Sequence, residues 1–245
     1  MSASPTVRSA AEVDKTGPAI REMFAGVAPR YDLLNHLLSA SLDRLWRRRA
    51  AAALAPAAGS PVLDLCAGTG DQAIALFHRG ARVYAADFCL PMLALGERKF
   101  RRLRARAPAR PRGVAADALR LPFRDRSFSG LTVAFGLRNL ADLPAGLAEI
   151  ARLLAPGGRL VALEFAVPER PLLRRLYLFY LLHLLPVVGR LLSPRAAAYR
   201  YLPASVLPFP QRGDLTARLA AAGFTAAAWR ELSGGIVCLY TAVRP

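Results

Sequence analysis

The central part of the chain alternates between two patterns of apolar residues. Short apolar runs of strand length are separated by longer segments whose apolar residues recur with helical periodicity. Strands are predicted at Pro61–Leu65, Arg82–Ala86, Val114–Ala116, Leu131–Phe135 and Arg159–Phe165. Helices are predicted between them at Asp71–Arg79, Pro91–Arg106 and Leu143–Leu154. Because strands and helices that alternate at this spacing form βαβ units, we expect an α/β fold built on a parallel sheet.

The two ends of the chain depart from this alternation. Helical periodicity starts at Ala19, is interrupted by Pro29 and resumes after it, so residues 19–56 form a helical N-terminal segment whose third helix is Leu42–Leu54. The last predicted elements are a helix and two strands, at Leu215–Ala222, Ala226–Leu232 and Ile236–Ala242. A Ser-Gly-Gly turn joins these two strands and favours a hairpin. The sequence therefore predicts seven strands, mostly parallel, with an antiparallel C-terminal hairpin.

Residues 168–210 form an apolar, leucine-rich insertion for which we expect a helical cap. The uncharged stretch Leu176–Gly189 has 14 residues, whereas a helix needs about 20 apolar residues to cross a bilayer. Arginines flank this stretch on both sides. Three interpretations of Leu172–Leu192 stay open: a helix lying at a membrane interface, the wall of a tunnel, or an ordinary buried cap helix.

The composition fits one globular domain. The length of 245 residues and the 54% share of hydrophobic residues suit a single α/β domain, which we place at residues 19–245 after a flexible N-terminus at 1–18. The polar N-terminus lacks the apolar run of a signal peptide. Three scattered cysteines argue against a disulfide framework. We therefore expect a cytoplasmic protein, either free or bound peripherally to the cytosolic face of a membrane.

The formal net charge is +17 and comes almost wholly from arginine, since Lys15 and Lys99 are the sole lysines. A GC-rich genome that encodes its basic residues as arginine explains most of this bias. The charge also favours an anionic surface, either a membrane or a nucleic acid. Because no arginine-rich aromatic repeat of the kind found in single-strand binders is present, we expect contact with an anionic membrane surface and no nucleic-acid partner.

The strongest chemical signal is the run VLDLCAGTGD, from Val62 to Asp71, where a buried strand enters a glycine-rich turn that opens a helix. Its two glycines, Gly68 and Gly70, allow the backbone to approach a ligand closely. A dinucleotide site would carry a third glycine where this chain has Ala73. The acidic Asp64 also fits a cationic amino-acid group better than a pyrophosphate. The turn, with Thr69 between its glycines, is therefore predicted to bind a cofactor with a cationic amino-acid part.

Two further acidic residues follow the next two predicted strands. Asp87 ends the second strand, 17 residues beyond Gly70, where a carboxylate can accept hydrogen bonds from both hydroxyls of a ribose. Asp117, followed by Ala118, comes just after the third strand and can accept from an adenine amino group. Because ligands bind at the carboxyl ends of the strands in open α/β sheets, these residues are expected to form one cofactor site.

This combination of motifs resembles the class I S-adenosylmethionine methyltransferases, whose fold is Rossmann-like, and Pro156-Gly157-Gly158 before the fifth strand is similar to another hallmark of that class. Segments outside the cofactor motifs resemble more closely the ubiquinone/menaquinone biosynthesis C-methyltransferases. These segments are Val27–Asn35 (VAPRYDLLN), Phe135–Asn139 (FGLRN), Leu163–Phe165 (LEF) and Tyr199–Leu202 (YRYL) with Ser205-Val206. One departure is Ala134, where members of that family often carry a serine associated with cofactor binding, so that contact is not carried over.

The resemblance implies S-adenosyl-L-methionine as cofactor, a polyprenyl quinol as substrate and no metal. The preferred substrate is the naphthoquinol of menaquinone biosynthesis; the benzoquinol of ubiquinone biosynthesis and another small molecule or lipid remain alternatives. A nucleic-acid methyltransferase would carry an Asn/Asp-Pro-Pro-Tyr run after the fourth strand, where this chain has Gly-Leu-Arg-Asn. A membrane-attached protein that binds the cofactor without catalysis is a further alternative, and a homodimer is as open as a monomer.

The resemblance also indicates which residues serve the reaction. Ring C-methylation needs a ring carbon made nucleophilic by removal of a hydroxyl proton, and hence a base or a cation that stabilises the phenolate. Arg138 is expected to stabilise the phenolate and Asn139 to orient a ring oxygen, whereas Tyr31 and Asp32 close over the site. Arg138 stays charged and is no proton acceptor itself. The alternatives are a structural salt bridge for Arg138 and an ordinary polar position for His36, and the proton acceptor is left open.

Overall fold

Seven strands form one mixed sheet in the computed structural model, which describes residues 17–104, 109–187 and 197–245. The strands are β1 (Pro61–Leu65), β2 (Arg82–Asp87), β3 (Arg112–Ala115), β4 (Phe128–Ala134), β5 (Leu154–Phe165), β6 (Thr225–Leu232) and β7 (Val237–Val243). Their order across the sheet is β3-β2-β1-β4-β5-β7-β6. Strands β1 to β5 are parallel, and β7 lies antiparallel between β5 and β6. The predicted fold, including the antiparallel C-terminal hairpin, is confirmed.

Helices cover both faces of the sheet. They are α1 (Gly17–Val27), α2 (Tyr31–Leu38), α3 (Leu42–Leu54), α4 (Asp71–Phe77), α5 (Leu90–Arg101), α6 (Leu143–Leu153), α7 (Pro171–Phe179), α8 (Ala197–Val206) and α9 (Gly213–Ala221). Short 3₁₀ segments lie at Ala28–Arg30, Leu137–Asn139 and Ser233–Gly235, and a π-helical turn follows α7 at Tyr180–Leu184.

The core has two layers, one on each face of the sheet. Leu63 and Leu65 of β1 pack into one cluster with Leu147 of α6, whereas Val62 packs into the other with Trp46 of α3. Both faces are buried because successive side chains of a strand point to opposite faces and a parallel sheet is covered by helices on both.

The strand order places the predicted site residues at one edge of the sheet. β1 and β4 are neighbours, but the chain runs from β1 towards β2 and β3 on one side and from β4 towards β5 on the other. The connections that leave these two strands therefore diverge and open a crevice at their carboxyl ends. Asp87 ends β2, and the other three residues, Gly68, Asp117 and Arg138, follow β1, β3 and β4 respectively, so all four reach this crevice.

The bounds of several elements differ from those predicted. β1 and α3 agree residue for residue, but β5 begins at Leu154 instead of Arg159, because the chain passes from α6 directly into strand pairing. Residues 155–158 then bulge between the pairs Phe128–Leu154 and Gly130–Arg159, and Gly157 takes a φ of +75° there. α5 ends at Arg101, and part of its predicted extension to Arg106 lies outside the described residues.

The terminal and cap segments are described in part. Residues 1–16 of the predicted flexible N-terminus lie outside the described residues, and α1 begins at Gly17, two residues before the predicted start of helical periodicity at Ala19. The predicted cap contains α7, the π-helical turn and α8, whereas residues 188–196, which include the end of Leu172–Leu192, lie outside the description. No helix in the described ranges combines the length and hydropathy needed to cross a membrane.

Candidate active site

Two adjoining pockets open at the carboxyl edge of the sheet. The smaller has a volume of about 120 Å³ and the larger about 400 Å³; we call them the small pocket and the large cavity. Phe24, Tyr31 and Phe135 line both of them, so these aromatic side chains form the boundary between the two spaces.

The small pocket collects residues from the ends of three strands. Gly68 of the glycine-rich turn, Asp87 at the end of β2, and Asp117 with Ala118 after β3 all line it. These four residues were predicted to bind a cofactor, and the structure brings them together because the carboxyl ends of parallel strands meet at one edge. Asn139, which was predicted to serve the substrate, lines this pocket as well.

Asp87 is the most buried acidic group on the wall of the small pocket, with 8% of its surface exposed. One carboxylate oxygen accepts a hydrogen bond from the backbone N–H of Gly68 and the other from that of Cys89, both at 2.8 Å. Burial raises the pKa of this carboxyl group, although these backbone hydrogen bonds act in the opposite direction. Each oxygen keeps a second lone pair, so Asp87 is held in place and can still accept hydrogen bonds from a ligand.

Backbone geometry explains both glycines of the turn. Gly70 has a φ of +83°, and a β-carbon there would overlap the ring of Phe100 on α5. Gly68 has a φ of +56° and faces the pocket, where a β-carbon would meet the methyl group of Met92 at 3.8 Å. Both take left-handed conformations that favour glycine. Gly70 therefore serves the packing of the turn against α5, whereas Gly68 brings backbone to the pocket wall.

Asp64 lies beneath the small pocket and is fully buried. Its Oδ1 accepts a hydrogen bond from Thr132 Oγ1 at 2.9 Å, and its Oδ2 has no hydrogen-bond partner among the described residues. Burial raises the pKa of this carboxyl group to about 7. Asp64 and Gly70 are thus placed behind the pocket surface, and their predicted contact with a cofactor stays a prediction.

Asp32 and Thr69 belong to a polar network behind the same turn. Thr69 Oγ1 donates a hydrogen bond to Asp32, and Lys99 Nζ lies 2.9 Å from Asp32 Oδ2 and 2.5 Å from Asp71 Oδ1. Burial alone would raise the pKa of Asp71, but the charges of Arg47 and Lys99 lower it. The network joins α2 and α5 to the turn, so Asp32 and Thr69 lie next to the site without lining either pocket.

Arg138 lines the large cavity and is held by a buried ion pair. Its Nη1 lies 2.9 Å from Glu164 Oε2 and donates a second hydrogen bond to the carbonyl oxygen of Phe135 at 2.5 Å. Its guanidinium carbon lies 5.3 Å from the centroid of the Phe165 ring. The structural salt bridge that sequence reasoning left as an alternative is therefore present. Because Arg138 also lines the cavity, this salt bridge does not exclude a role of Arg138 towards substrate.

The wall of the large cavity is mostly apolar and aromatic, with a few polar groups. Tyr201 donates a hydrogen bond to Asn139 Oδ1 at 2.9 Å and thereby ties α8 to the loop after β4. Burial raises the pKa of Tyr201 to about 12, and burial also raises the pKa values of Tyr177 and Tyr180. These three hydroxyl groups therefore stay protonated at neutral pH.

Sequence reasoning missed two cavity residues on α3, Asp43 and Arg47. They are four residues apart and lie on one face of the helix with Trp46. The guanidinium carbon of Arg47 lies 5.4 Å from the centroid of Phe135, and no hydrogen-bond partner is found for its buried Nε within the described ranges. Both are charged residues on an amphipathic helix, a pattern visible in the sequence, but their burial is evident only from the structure.

His36 joins Asp43 to Asp71 and is more than an ordinary polar position. Its Nδ1 lies 2.8 Å from Asp43 Oδ2, and its Nε2 lies 3.9 Å from Asp71 Oδ2. Ligand atoms of these three residues lie within 4.8 Å of one another, a spacing at which a metal ion could be held. Each atom, however, already faces a partner, and Asp71 also pairs with the Lys99 ammonium group. The arrangement therefore fits a cluster of paired ionisable groups better than a cation site.

The chain is similar over nearly its whole length to known proteins. Residues 11–244 match the ubiE/COQ5 methyltransferase family. A demethylmenaquinone methyltransferase of Mycolicibacterium paratuberculosis is 44% identical over 97% of this chain and 99% of its own length. A protein of the same name from Thermus thermophilus is 47% identical over 91% of this chain and 100% of its own length.

Solved structures show the same fold at low sequence identity. A magnesium protoporphyrin IX methyltransferase from Synechocystis with bound S-adenosylmethionine superposes with a TM-score of 0.66, at 16% identity, over 97% of this chain and 100% of its own. An S-adenosylmethionine-dependent methyltransferase from Thermotoga maritima gives a TM-score of 0.65 at 17% identity, over 92% and 100% of the two chains. These likenesses support the Rossmann-like methyltransferase fold.

Proposed function

Because the chain belongs to the ubiE/COQ5 methyltransferase family and is an S-adenosylmethionine-dependent methyltransferase, we propose that it methylates a ring carbon of demethylmenaquinol in menaquinone biosynthesis. The observation that carries the proposal is the pair of pockets, a small one with acidic groups and a large apolar one, which share the wall formed by Tyr31 and Phe135. This arrangement suits a polar cofactor and a lipid-like substrate that meet at one point.

The small pocket fits S-adenosylmethionine by the chemistry of its donors and acceptors. Asp87 would accept from the ribose hydroxyls, and Asp117 would accept from the adenine amino group beside the buried Ala118. The backbone at Gly68 would lie along the ligand, in the turn that follows Asp64 on β1. When bound, the cofactor supplies a sulfonium methyl group that is already activated for transfer.

The large cavity fits the quinol ring and the first part of its tail. Arg138 would stabilise the phenolate form of the ring and Asn139 would orient a ring oxygen, because both lie in the loop after β4 where the two pockets adjoin. Tyr31 on the shared wall would hold the ring against the methyl donor and exclude water. Asp32 supports this wall through its contacts with Thr69 and Lys99.

The surface beside the cavity suits a membrane interface. Leu33 and Leu37 of α2 and Leu172, Leu176 and Phe179 of α7 are exposed by 58–73%, and we call this patch the α2–α7 surface. Tyr180, next to α7, donates a hydrogen bond to the carbonyl oxygen of Leu38 at 3.0 Å and holds the two helices together. We propose that this surface rests on an anionic membrane, since the exposed Arg170 precedes α7, the exposed Arg174 and Arg175 lie in it, and a polyprenyl quinol resides in lipid.

Sedimentation with lipid vesicles tests the membrane contact. The protein should sediment with anionic vesicles, less with neutral ones, and salt should release part of it by screening. Phe179→Ser should weaken the association, whereas Trp229→Ser, at an exposed apolar position on β6, should leave it unchanged. Equal sedimentation of the two variants, or none at low salt, would favour an ordinary cap helix over a membrane contact.

A competition assay tests the choice of ring. Reduced demethylmenaquinone and the reduced benzoquinone precursor of ubiquinone, with tails of equal length, are supplied together with methyl-labelled cofactor. We expect label mainly in the naphthoquinol, and none when the quinones are left oxidised, because the oxidised ring has no hydroxyl proton to lose. Preferential labelling of the benzoquinol would overturn the ring assignment, and labelling of the oxidised ring would overturn the quinol mechanism.

A further inference from the structure

The reaction needs a proton acceptor, and the wall of the large cavity offers few groups for that role. Asp43 is the sole carboxylate among the described residues that line it, and no histidine, lysine, glutamate or cysteine among them lines it. Arg47 and Arg138 are guanidinium groups that stay protonated at neutral pH. The raised pKa values of Tyr177 and Tyr201 keep these hydroxyls protonated as well.

Asp43 is fixed at the cavity by two hydrogen bonds from the segment before it. Its Oδ2 pairs with His36 Nδ1 at 2.8 Å, and its Oδ1 accepts from Ser39 Oγ at 2.9 Å. Each carboxylate oxygen retains a lone pair, so a substrate hydroxyl can still donate to it. The side chain is 6% exposed, so the carboxylate meets the cavity more than bulk solvent.

Behind Asp43 a row of ionisable groups leads to the surface. His36 lies between Asp43 and Asp71, and Asp71 pairs with Lys99. The exposed fraction of the side chains rises along this row, from 6% at Asp43 to 19% at His36 and 25% at Asp71. His36 Nε2 lies 3.9 Å from Asp71 Oδ2, too far for a direct hydrogen bond, so a proton that reaches the imidazole leaves to solvent from the partly exposed His36 side chain.

We propose that Asp43, backed by His36, accepts the hydroxyl proton of the quinol during methyl transfer; this rests on the proposed function. The ring carbon forms a bond to the methyl group while the carbon–sulfur bond breaks and its electron pair stays on sulfur. Loss of the ring hydrogen as a proton then restores the aromatic ring as a phenolate, and one of the two released protons returns to the phenolate oxygen to reform the hydroxyl. One proton leaves per turnover, and Asp43 and His36 pass it to solvent.

Arg47 complements this assignment from the next turn of α3. Its guanidinium faces the same cavity, and its buried Nε lacks a hydrogen-bond partner within the described ranges. A cation beside the ring oxygen stabilises the phenolate that Asp43 generates. One face of α3 therefore supplies both a base and a cation. Arg138, the other guanidinium group on the cavity wall, is already paired with Glu164.

The comparison of Asp43→Glu with Asp43→Gln tests the proposal. The two side chains have the same size and disturb packing alike, but only glutamate carries a carboxylate. Since a positioned general base contributes about 10²–10⁴ in rate, we expect the glutamate variant to exceed the glutamine variant by at least about tenfold in single-turnover methylation of demethylmenaquinol. Cofactor affinity should be the same in both, and Asp125→Asn, at a surface position remote from the cavity, should match the parent.

Chemical rescue gives a second readout. Asp43→Ala should regain part of its rate when formate is added, because formate can occupy the vacated space and accept the proton. His36 is a positioning residue, and His36→Ala should regain part of its rate with imidazole. If the parent enzyme is active, equal rates for the glutamate and glutamine variants would overturn the role of Asp43. The absence of formate rescue in Asp43→Ala would overturn it as well. A parent that leaves the quinol unmethylated would instead contradict the proposed function, and this assignment with it.

Discussion

Replacing Arg138 with methionine removes the cation from a buried ion pair and leaves Glu164 without its partner. Glu164 is fully buried, and Arg138 is 7% exposed. Removal of one member of such a pair costs about 3–5 kcal/mol, because the remaining charge is left uncompensated. For a chain of this size, in which 1 kcal/mol corresponds to roughly 2–4 °C, the melting temperature should fall by about 6–20 °C.

A compensating change separates stability from catalysis. Glu164→Gln in the same chain removes the stranded charge and keeps an acceptor for the backbone N–H of Arg138, which donates to Glu164 Oε1 at 3.2 Å. The double variant should therefore recover most of the lost melting temperature. It still lacks the cation, so its rate of methyl transfer should stay about 10²–10³ below that of the parent.

Thermal unfolding followed by circular dichroism, calorimetry with the cofactor, and single-turnover methylation on the same preparations measure these quantities. The double variant should bind the cofactor as the parent does. A double variant that methylates at the parent rate would reduce Arg138 to a structural salt bridge. An unchanged melting temperature in the single variant would show that the pair does not stabilise the fold.

Three further outcomes are expected. Gly70→Ala should destabilise the fold more than Gly59→Ala, because both have positive φ but only Gly70 would clash with Phe100; equal melting temperatures would contradict this. Asp87→Ala should weaken cofactor binding at least about tenfold by calorimetry, since charge-assisted hydrogen bonds contribute about 1.5–3 kcal/mol, and unchanged affinity would refute the ribose contact. The raised pKa of Asp64 favours its protonated form in the folded state, so the contribution of this group to stability is lost as pH rises from 3.8 to about 7. Asp64→Asn should therefore flatten the decline in melting temperature over this pH range. An identical pH profile in the variant would contradict the raised pKa of Asp64.

The sequence predicted those features that depend on local pattern. The apolar runs and the glycine turn predicted β1 and the C-terminal hairpin. Because the carboxyl ends of parallel strands meet at one edge, the sequence also predicted that Asp87 and Asp117 lie close together. Pairings between distant residues could not be predicted in this way. The ion pair between Arg138 and Glu164 depends on how the loop after β4 folds against β5, and the position of Asp64 behind the pocket depends on the direction of one side chain within a buried strand.

The proton acceptor was left open for a related reason. Asp43 has an ordinary sequence context on an amphipathic helix, and its meaning appears only when α2, α3 and α7 enclose the large cavity. The motif around Tyr31 indicated the importance of α2, but not that this helix would hold His36 against Asp43.

The fate of a trideuteromethyl group decides whether this protein methylates the ring of demethylmenaquinol. Purified protein is incubated with cofactor that carries this group and with reduced demethylmenaquinone in detergent, and the lipid product is fragmented by mass spectrometry. We expect the label on the naphthoquinol ring carbon, with all its deuterium retained, and we expect Asp87→Ala to form this product far more slowly at limiting cofactor. Label on a ring oxygen, or no labelled quinol from an enzyme that binds the cofactor, would contradict the proposed function.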